Sequence, residues 1–326
     1  MMAVTILRFV QQVITRYGIT IYFALGVIGN ICNCMMFMRP LYRHMPGSIY
    51  FRSLSIFSIV YLFWVFVPLF NTLDHADAQL QSLLYCKIKS YGSHVFGQCI
   101  RSVVVFACAD RFFLTRTNVR IRSLSSNKIA MKLVFIICPA WLLIAIHMPI
   151  LTEIRGNVCG TFGLYKTIYS VYQIISVVIL PLTLMSIFSI LTVRSLRQRN
   201  AKQTHARQRD RDFMRMVMAE IIAHISTSII YSGGLIYSAL TTYVGQSNAQ
   251  QVEIEAFILF LTQFSVHLTS VVSFYMFLIT SKPFRNEFIK IIMKYWQQYI
   301  TRRVSISPLT EKTTPTTINV GAVQTK

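Results

Sequence analysis

Charge, and acidic charge above all, is what this chain has least of. Its 326 residues include 11 Asp and Glu against 32 Lys and Arg, and charged residues make up only 13%. A soluble domain carries about 25%, so an ordinary water-facing surface is excluded. The chain also lacks a phosphate-cradling glycine loop, a His/Cys cluster at metal-ligand spacing, and a nucleophile set beside a base. No enzymatic chemistry, cofactor or metal is therefore expected. There is no repeated half, which weighs against an inverted-repeat transporter.

What is present is apolar. Hydrophobic residues make up 54%, in runs too long for the core helices of a soluble protein. Seven spans read out, at about 15–38, 48–72, 83–115, 128–151, 167–193, 213–243 and 253–280. The first run starts too late and continues too long for a signal peptide, so an uncleaved signal-anchor is expected.

The net charge of +21 invites a nucleic-acid reading, but the placement of the charge argues against it. Of the 32 basic residues, 23 fall in 39–47, 116–132, 194–215 and 281–326, which are alternate loops and the tail. The opposite loops and the N-terminus hold 6: Arg8, Arg16, Lys87, Lys89, Arg155 and Lys166. Lys and Arg mark cytoplasmic loops. The expectation is a multi-pass plasma-membrane protein in a lipid bilayer, N-terminus extracellular and C-terminus cytoplasmic. Its parts are a short extracellular segment 1–14, a seven-transmembrane helix bundle 15–280, an interfacial helix 281–297 and a disordered cytoplasmic tail 298–326. In 281–297, Phe284, Phe288, Ile291 and Tyr295 share one helical face among Arg285, Lys290 and Lys294, a pattern suited to a helix lying in the membrane interface.

The most informative spacing lies in the third span. Cys86 stands 25 positions before Arg111 in Asp110-Arg111-Phe112. A helix between them is about 37 Å long, a hydrocarbon core plus an interface. The cysteine then sits on the outer, oxidising side, and the acid–base pair faces the cytoplasm. Cys159 is the other cysteine on the outer side, whereas Cys32, Cys34, Cys99, Cys108 and Cys138 fall inside spans. Asp110 and Arg111 could also be a simple stop-transfer charge.

With Gly29-Asn30, Trp141 and Pro181 in the first, fourth and fifth spans, this order of anchors resembles the rhodopsin-like (class A) G-protein-coupled receptors, over residues 20–290. The third helix of that family usually ends in Asp-Arg-Tyr; here Phe112 replaces the Tyr. The resemblance implies a disulfide between Cys86 and Cys159. It also implies a restraint of Arg111 by Asp110 and by an acid at the foot of the sixth helix, where Asp210 matches, and Asp212 lies beside it. Loss of that restraint would let Arg111 meet a heterotrimeric G protein.

The departures are as clear. Ser58 stands where the family has a sodium-binding Asp, so no sodium site is expected. Ser273-Phe274-Tyr275-Met276-Phe277 replaces Asn-Pro-x-x-Tyr, and Thr227-Ser228-Ile229-Ile230 replaces the Cys-Trp-x-Pro switch. No cysteine follows Cys159, so the usual tail palmitoylation has no acceptor.

Arg101 lies deep in the third span. An unpaired Arg there costs on the order of 2.5–3.5 kcal/mol by insertion scales. Glu220 and His224, four apart in the sixth span, share a helical face, and a buried Arg101–Glu220 pair assisted by His224 is expected. The alternative is Arg101 facing a water-filled cavity, with Glu220 engaged elsewhere.

The family pocket implies an outside ligand near Ser93, His94, Gly97, Tyr172, Gln263 and His267; interhelical hydrogen bonding is an equal account of each. Ser93 stands where amine receptors carry an Asp, and His267 where opsins carry a retinal-binding Lys. Mixed outer-loop charge (Asp74, Asp77, Glu153, Glu253 and Glu255 beside Lys87, Lys89 and Arg155) is more like peptide receptors. Tail residues such as Thr310 and Thr313 could accept phosphate and recruit an arrestin-like protein. The competing reading from another class keeps the seven helices without G-protein coupling, as a scavenger or trafficking partner.

Overall fold

The computed structural model describes residues 2–43, 45–74, 78–155, 158–198, 204–244 and 249–306. Residues 2–284 form one unit and the helical segment from Arg285 onward another.

Eight long helices run through the described residues. Helix α1 joins Met2–Val13 to Ile19–Phe37 through a π-helical turn at Ile14–Gly18. It therefore begins at Met2 and not near residue 15, because Ile6, Phe9, Val10 and Val13 extend the apolar pattern toward the N-terminus. Helix α2 is Pro46–Asp74 and α3 is Leu83–Leu114. Helix α4, Asn127–Ile144, is followed by the short turn His147–Leu151. Ser82 and Ser126 set the starts of α3 and α4, their side chains accepting from the backbone N–H of Tyr85 and Ile129, each at 3.4 Å.

Helix α5 comprises Gly163–Gln173, a π-helical turn Ile174–Ile179, and Leu180–Gln198. Pro181 follows the turn; it has no N–H to continue the ladder, so the wider turn absorbs the mismatch. Helix α6, Thr204–Val244, runs 41 residues without a proline. Helix α7 is Ala249–His267 and Thr269–Thr280, bent by 42° at Leu268. Helix α8 is Lys282–Ile306, longer than the 281–297 segment expected; residues 307–326 lie outside the described residues.

By length and composition, six of these helices can cross a membrane, and α7 makes a seventh if its bent halves count as one span. Burial ranks them. About two-thirds of the most apolar window of α3 is buried but only 17% of that of α4. So α3 is the central post and α4 turns outward, with Phe135, Ile136 and Leu143 exposed. In a bilayer that exposure meets lipid.

At the end of α3 that carries Cys86, strands β1 (Glu153–Arg155) and β2 (Val158–Gly160) pair antiparallel, with Ile154 opposite Cys159. Cys159 is bonded to Cys86, Cα–Cα 6.0 Å, which ties the hairpin to α3. One core cluster gathers Ile19, Leu62, Phe66 and Val271 with Tyr22, Phe23 and Phe264. A second, at the opposite end, is aromatic: Phe37 packs on Phe51, Phe277 and Phe284 with centroids 5.1, 6.0 and 5.8 Å apart. Gly234 lets α6 close on α7, since a Cβ there would stand 2.6 Å from the Thr262 methyl.

Candidate functional site

The two ends of α3 frame two polar sites. The first is a cavity of about 1160 Å³ between α1, α2, α3, α5, α6 and α7. Its lining alternates aromatic and polar groups. Tyr61 Oη and His267 Nδ1 lie 2.9 Å apart, and His94 Nε2 and Tyr172 Oη are equally close. Below them Gln98 donates to Ser176 Oγ at 3.2 Å, and the Trp141 indole donates to Ser102 Oγ at 2.8 Å. Of the ligand candidates, Ser93, His94, Gly97, Gln263 and His267 line the cavity, and Tyr172 reaches it only through His94.

Arg101 also lines the cavity, and its Nε has no hydrogen-bond partner. The structure does not bring it together with Glu220. His224 lies within electrostatic reach of Arg101, but Glu220, one turn nearer the Arg111 end of α6, faces Cys108 and Ser273. The Ser273 hydroxyl, its polar neighbour, also donates to the Thr269 carbonyl at 3.4 Å. The expected pair fails by about one helical turn, and the cavity alternative describes Arg101. Ser58 is fully buried with its hydroxyl unpartnered.

At the opposite end of α3, Arg111 Nη2 donates to Asp110 Oδ2 at 2.5 Å, with both side chains 3% exposed or less. The Ser125 hydroxyl donates to the other Asp110 oxygen at 2.6 Å. The guanidinium lies 4.4 Å from the centroid of the Phe213 ring of α6, and Phe213 packs against Phe51 at 4.8 Å. Gly47 makes room: a Cβ there would stand 2.5 Å from Phe213 and 2.9 Å from Arg111 Nη2. Asp212 is buried and bonds Arg215 at 3.1 Å. The side chain of Asp210, the expected second restraint, lies outside the described residues.

A single central helix thus carries a disulfide at one end and a buried Asp-Arg pair at the other, with a polar cavity between its neighbours. The model of the 7 transmembrane receptor (rhodopsin family) matches residues 29–276. The chain belongs to that family. A comparison with curated proteins finds no match. This rhodopsin-family receptor is a multi-pass membrane protein, and its Cys86–Cys159 disulfide is formed as the resemblance implied.

Sequence reasoning missed three parts of the receptor's buried pair. They are Phe213, the first residue of the sixth expected span, and Ser125 and Gly47, which fall in the basic loops 116–132 and 39–47. A serine near the α4 start and a glycine at the α2 start carry no signal until the fold sets them against α3.

Proposed function

We propose that this receptor couples an extracellular ligand to a heterotrimeric G protein. The observation that carries the reading is the Asp110–Arg111 pair, buried and braced by Ser125 and the Phe213 ring, at the end of α3 away from the cavity. A ligand that binds one arrangement of the bundle better than another shifts their populations. The ligand-favoured state is the one in which α6 moves off α3, Phe213 leaves the guanidinium, and Arg111 with the basic loop 194–215 meets the G protein. The orientation follows the basic loops, N-terminus outside and C-terminus inside, with α8 at the inner interface and the tail open to an arrestin-like partner.

A peptide is the ligand class we favour. The cavity exceeds the range of about 300–1000 Å³ usual for small-molecule sites, and charged residues such as Lys166, Glu253 and Glu255 lie at its end of the bundle. A second reading, a receptor without G-protein coupling, is favoured by one observation. The Tyr275 hydroxyl bonds the Leu25 carbonyl at 3.0 Å, held toward α1 and away from Arg111.

The test is nucleotide exchange on a panel of G proteins in membranes bearing the receptor, beside Arg111→Ala. Exchange above background that disappears in the variant is expected. A receptor at the cell surface that stays silent on the whole panel, even with Phe213→Ala to free Arg111, would sink the coupling and favour the second reading.

A further inference from the structure

Several ion pairs tie down charged groups toward the two ends of the bundle, whereas Arg101 sits in the middle of α3. Arg8 pairs with Glu253, Lys166 with Glu255, Arg155 with Glu153, Arg215 with Asp212, and Arg111 with Asp110. Glu220 faces Cys108 and Ser273. Among the described residues no carboxylate forms an ion pair with Arg101, and none lines the cavity into which it projects. Its electrostatic neighbours are Tyr61, Tyr231 and the imidazoles of His94, His224 and His267. These can donate or accept hydrogen bonds, but they do not neutralise a guanidinium.

The local geometry aims the cation upward. Helical side chains lean toward the N-terminus of their helix, here toward Cys86. The residue one turn in that direction is Gly97, where a Cβ would come 3.1 Å from Arg101 Nη1. The missing side chain leaves the guanidinium its place in the cavity. It lies about 22 Å along α3 from Cys86. A guanidinium facing a cavity without a carboxylate beside it attracts anions, and its forked geometry matches a planar carboxylate in two parallel hydrogen bonds.

We propose that the ligand of this cavity presents a carboxylate that pairs with Arg101, as the C-terminus of a peptide or the head of a free organic acid. The inference rests on the cavity being the ligand site and adds the ligand's charge and the residue that reads it. It also explains why the chain tolerates an Arg where an apolar residue would be better solvated by its neighbours. The partner arrives with the ligand.

The experiment uses the purified full-length receptor in lipid nanodiscs, wild type beside Arg101→Met and Gly97→Val. Thermal unfolding is followed with straight-chain monocarboxylates from acetate to palmitate, their methyl esters, the matching primary amines, and one peptide mixture prepared with free or amidated C-termini. At a hundredfold excess over Kd a bound acid raises the wild-type Tm by about 5 °C. The ester, amine and amide forms do not, and Arg101→Met and Gly97→Val lose the shift. Arg101→Met is also expected to be more stable than wild type without added compound, since it removes a cation that lacks a partner. Response to the free-C-terminus mixture alone identifies a peptide source, and response to the simple acids a free organic acid.

A less stable Arg101→Met protein with no acid-specific shift in wild type would make Arg101 structural and overturn the proposal. Equal shifts by amines or esters in wild type and variant would also overturn it, while leaving the cavity as the ligand site. A panel in which no carboxylate moves wild type more than Arg101→Met counts against it in the same way, whatever the nucleotide-exchange assay reports.

Discussion

Arg101 and Arg111 stand ten residues apart on one helix, yet their surroundings are opposite. Arg111 has a carboxylate 2.5 Å away, a ring beneath it and a serine bracing the carboxylate. Arg101 has tyrosines, histidines and open volume. The first arrangement holds its guanidinium against a carboxylate of the same helix, although Arg111 Nε and Nη1 have no hydrogen-bond partner. The second has no carboxylate partner among the described residues. In a low-dielectric interior, burial penalises an unpaired charge and rewards a paired one. On the function proposed above, the two arginines are a held output and an open input.

Four substitutions probe that contrast, and the largest effect is expected at the held end. Arg111→Ala should bring G-protein nucleotide exchange to background at unchanged surface expression. Exchange that survives the change would show that another group meets the partner. Next comes the frame of the open end. Cys86→Ser releases a loop closed over 73 residues, worth about 4 kcal/mol by chain entropy. Thermal unfolding should show a large fall in Tm, and a change under a degree would mean that the hairpin is held without the bond.

Gly47→Val drives a branched side chain into Phe213 and Arg111, an overpacking cost of about 1–3 kcal/mol borne by the resting arrangement. Basal exchange should rise about fivefold or more; lower exchange with intact expression would place Phe213 outside the restraint. The smallest effect belongs to Trp141→Phe. It removes the indole bond to Ser102 on the buried face of α3, worth about 1 kcal/mol. Tm should fall by a few degrees, with the Arg111 and Arg101 responses preserved.

Much of the fold was legible because membrane spans follow simple rules. Long apolar runs with basic loops on alternate sides fix number and order. The expected third and fourth spans, from about 83 and 128, start within a residue of α3 and α4 at Leu83 and Asn127. The bend in α7 was not legible. No Gly or Pro marks Leu268; the Thr269 hydroxyl takes the Val266 carbonyl at 2.8 Å and Leu268 bonds back to Ser265 at 3.2 Å, a tight turn that common residues make only in this context. The early start of α1 was missed because residues 2–13 carry Arg8 and two glutamines, which read as solvent-exposed.

The polar sites divide along similar lines. Cys86, Asp110 and Arg111 could be placed from position along one helix, and the pairing of Cys86 with Cys159 from the family resemblance. The Arg101–Glu220 pair required the relative depth of two helices. Matching α6 to the family at Asp210 orders the residues along that helix but does not set the depth at which Glu220 meets α3.

The unbroken α6 has a mechanical consequence. Forty-one residues of helix make a rod about 60 Å long, and it meets α7 closely at Gly234, where Thr262 fills the missing side chain's space. Phe213 is 21 residues from that contact, about 31 Å along the axis. Pivoting there by about 5° carries Phe213 about 3 Å sideways, enough to part a ring from a guanidinium. Where a kinked helix would flex at its middle, this one amplifies as a lever does, with a glycine for its fulcrum.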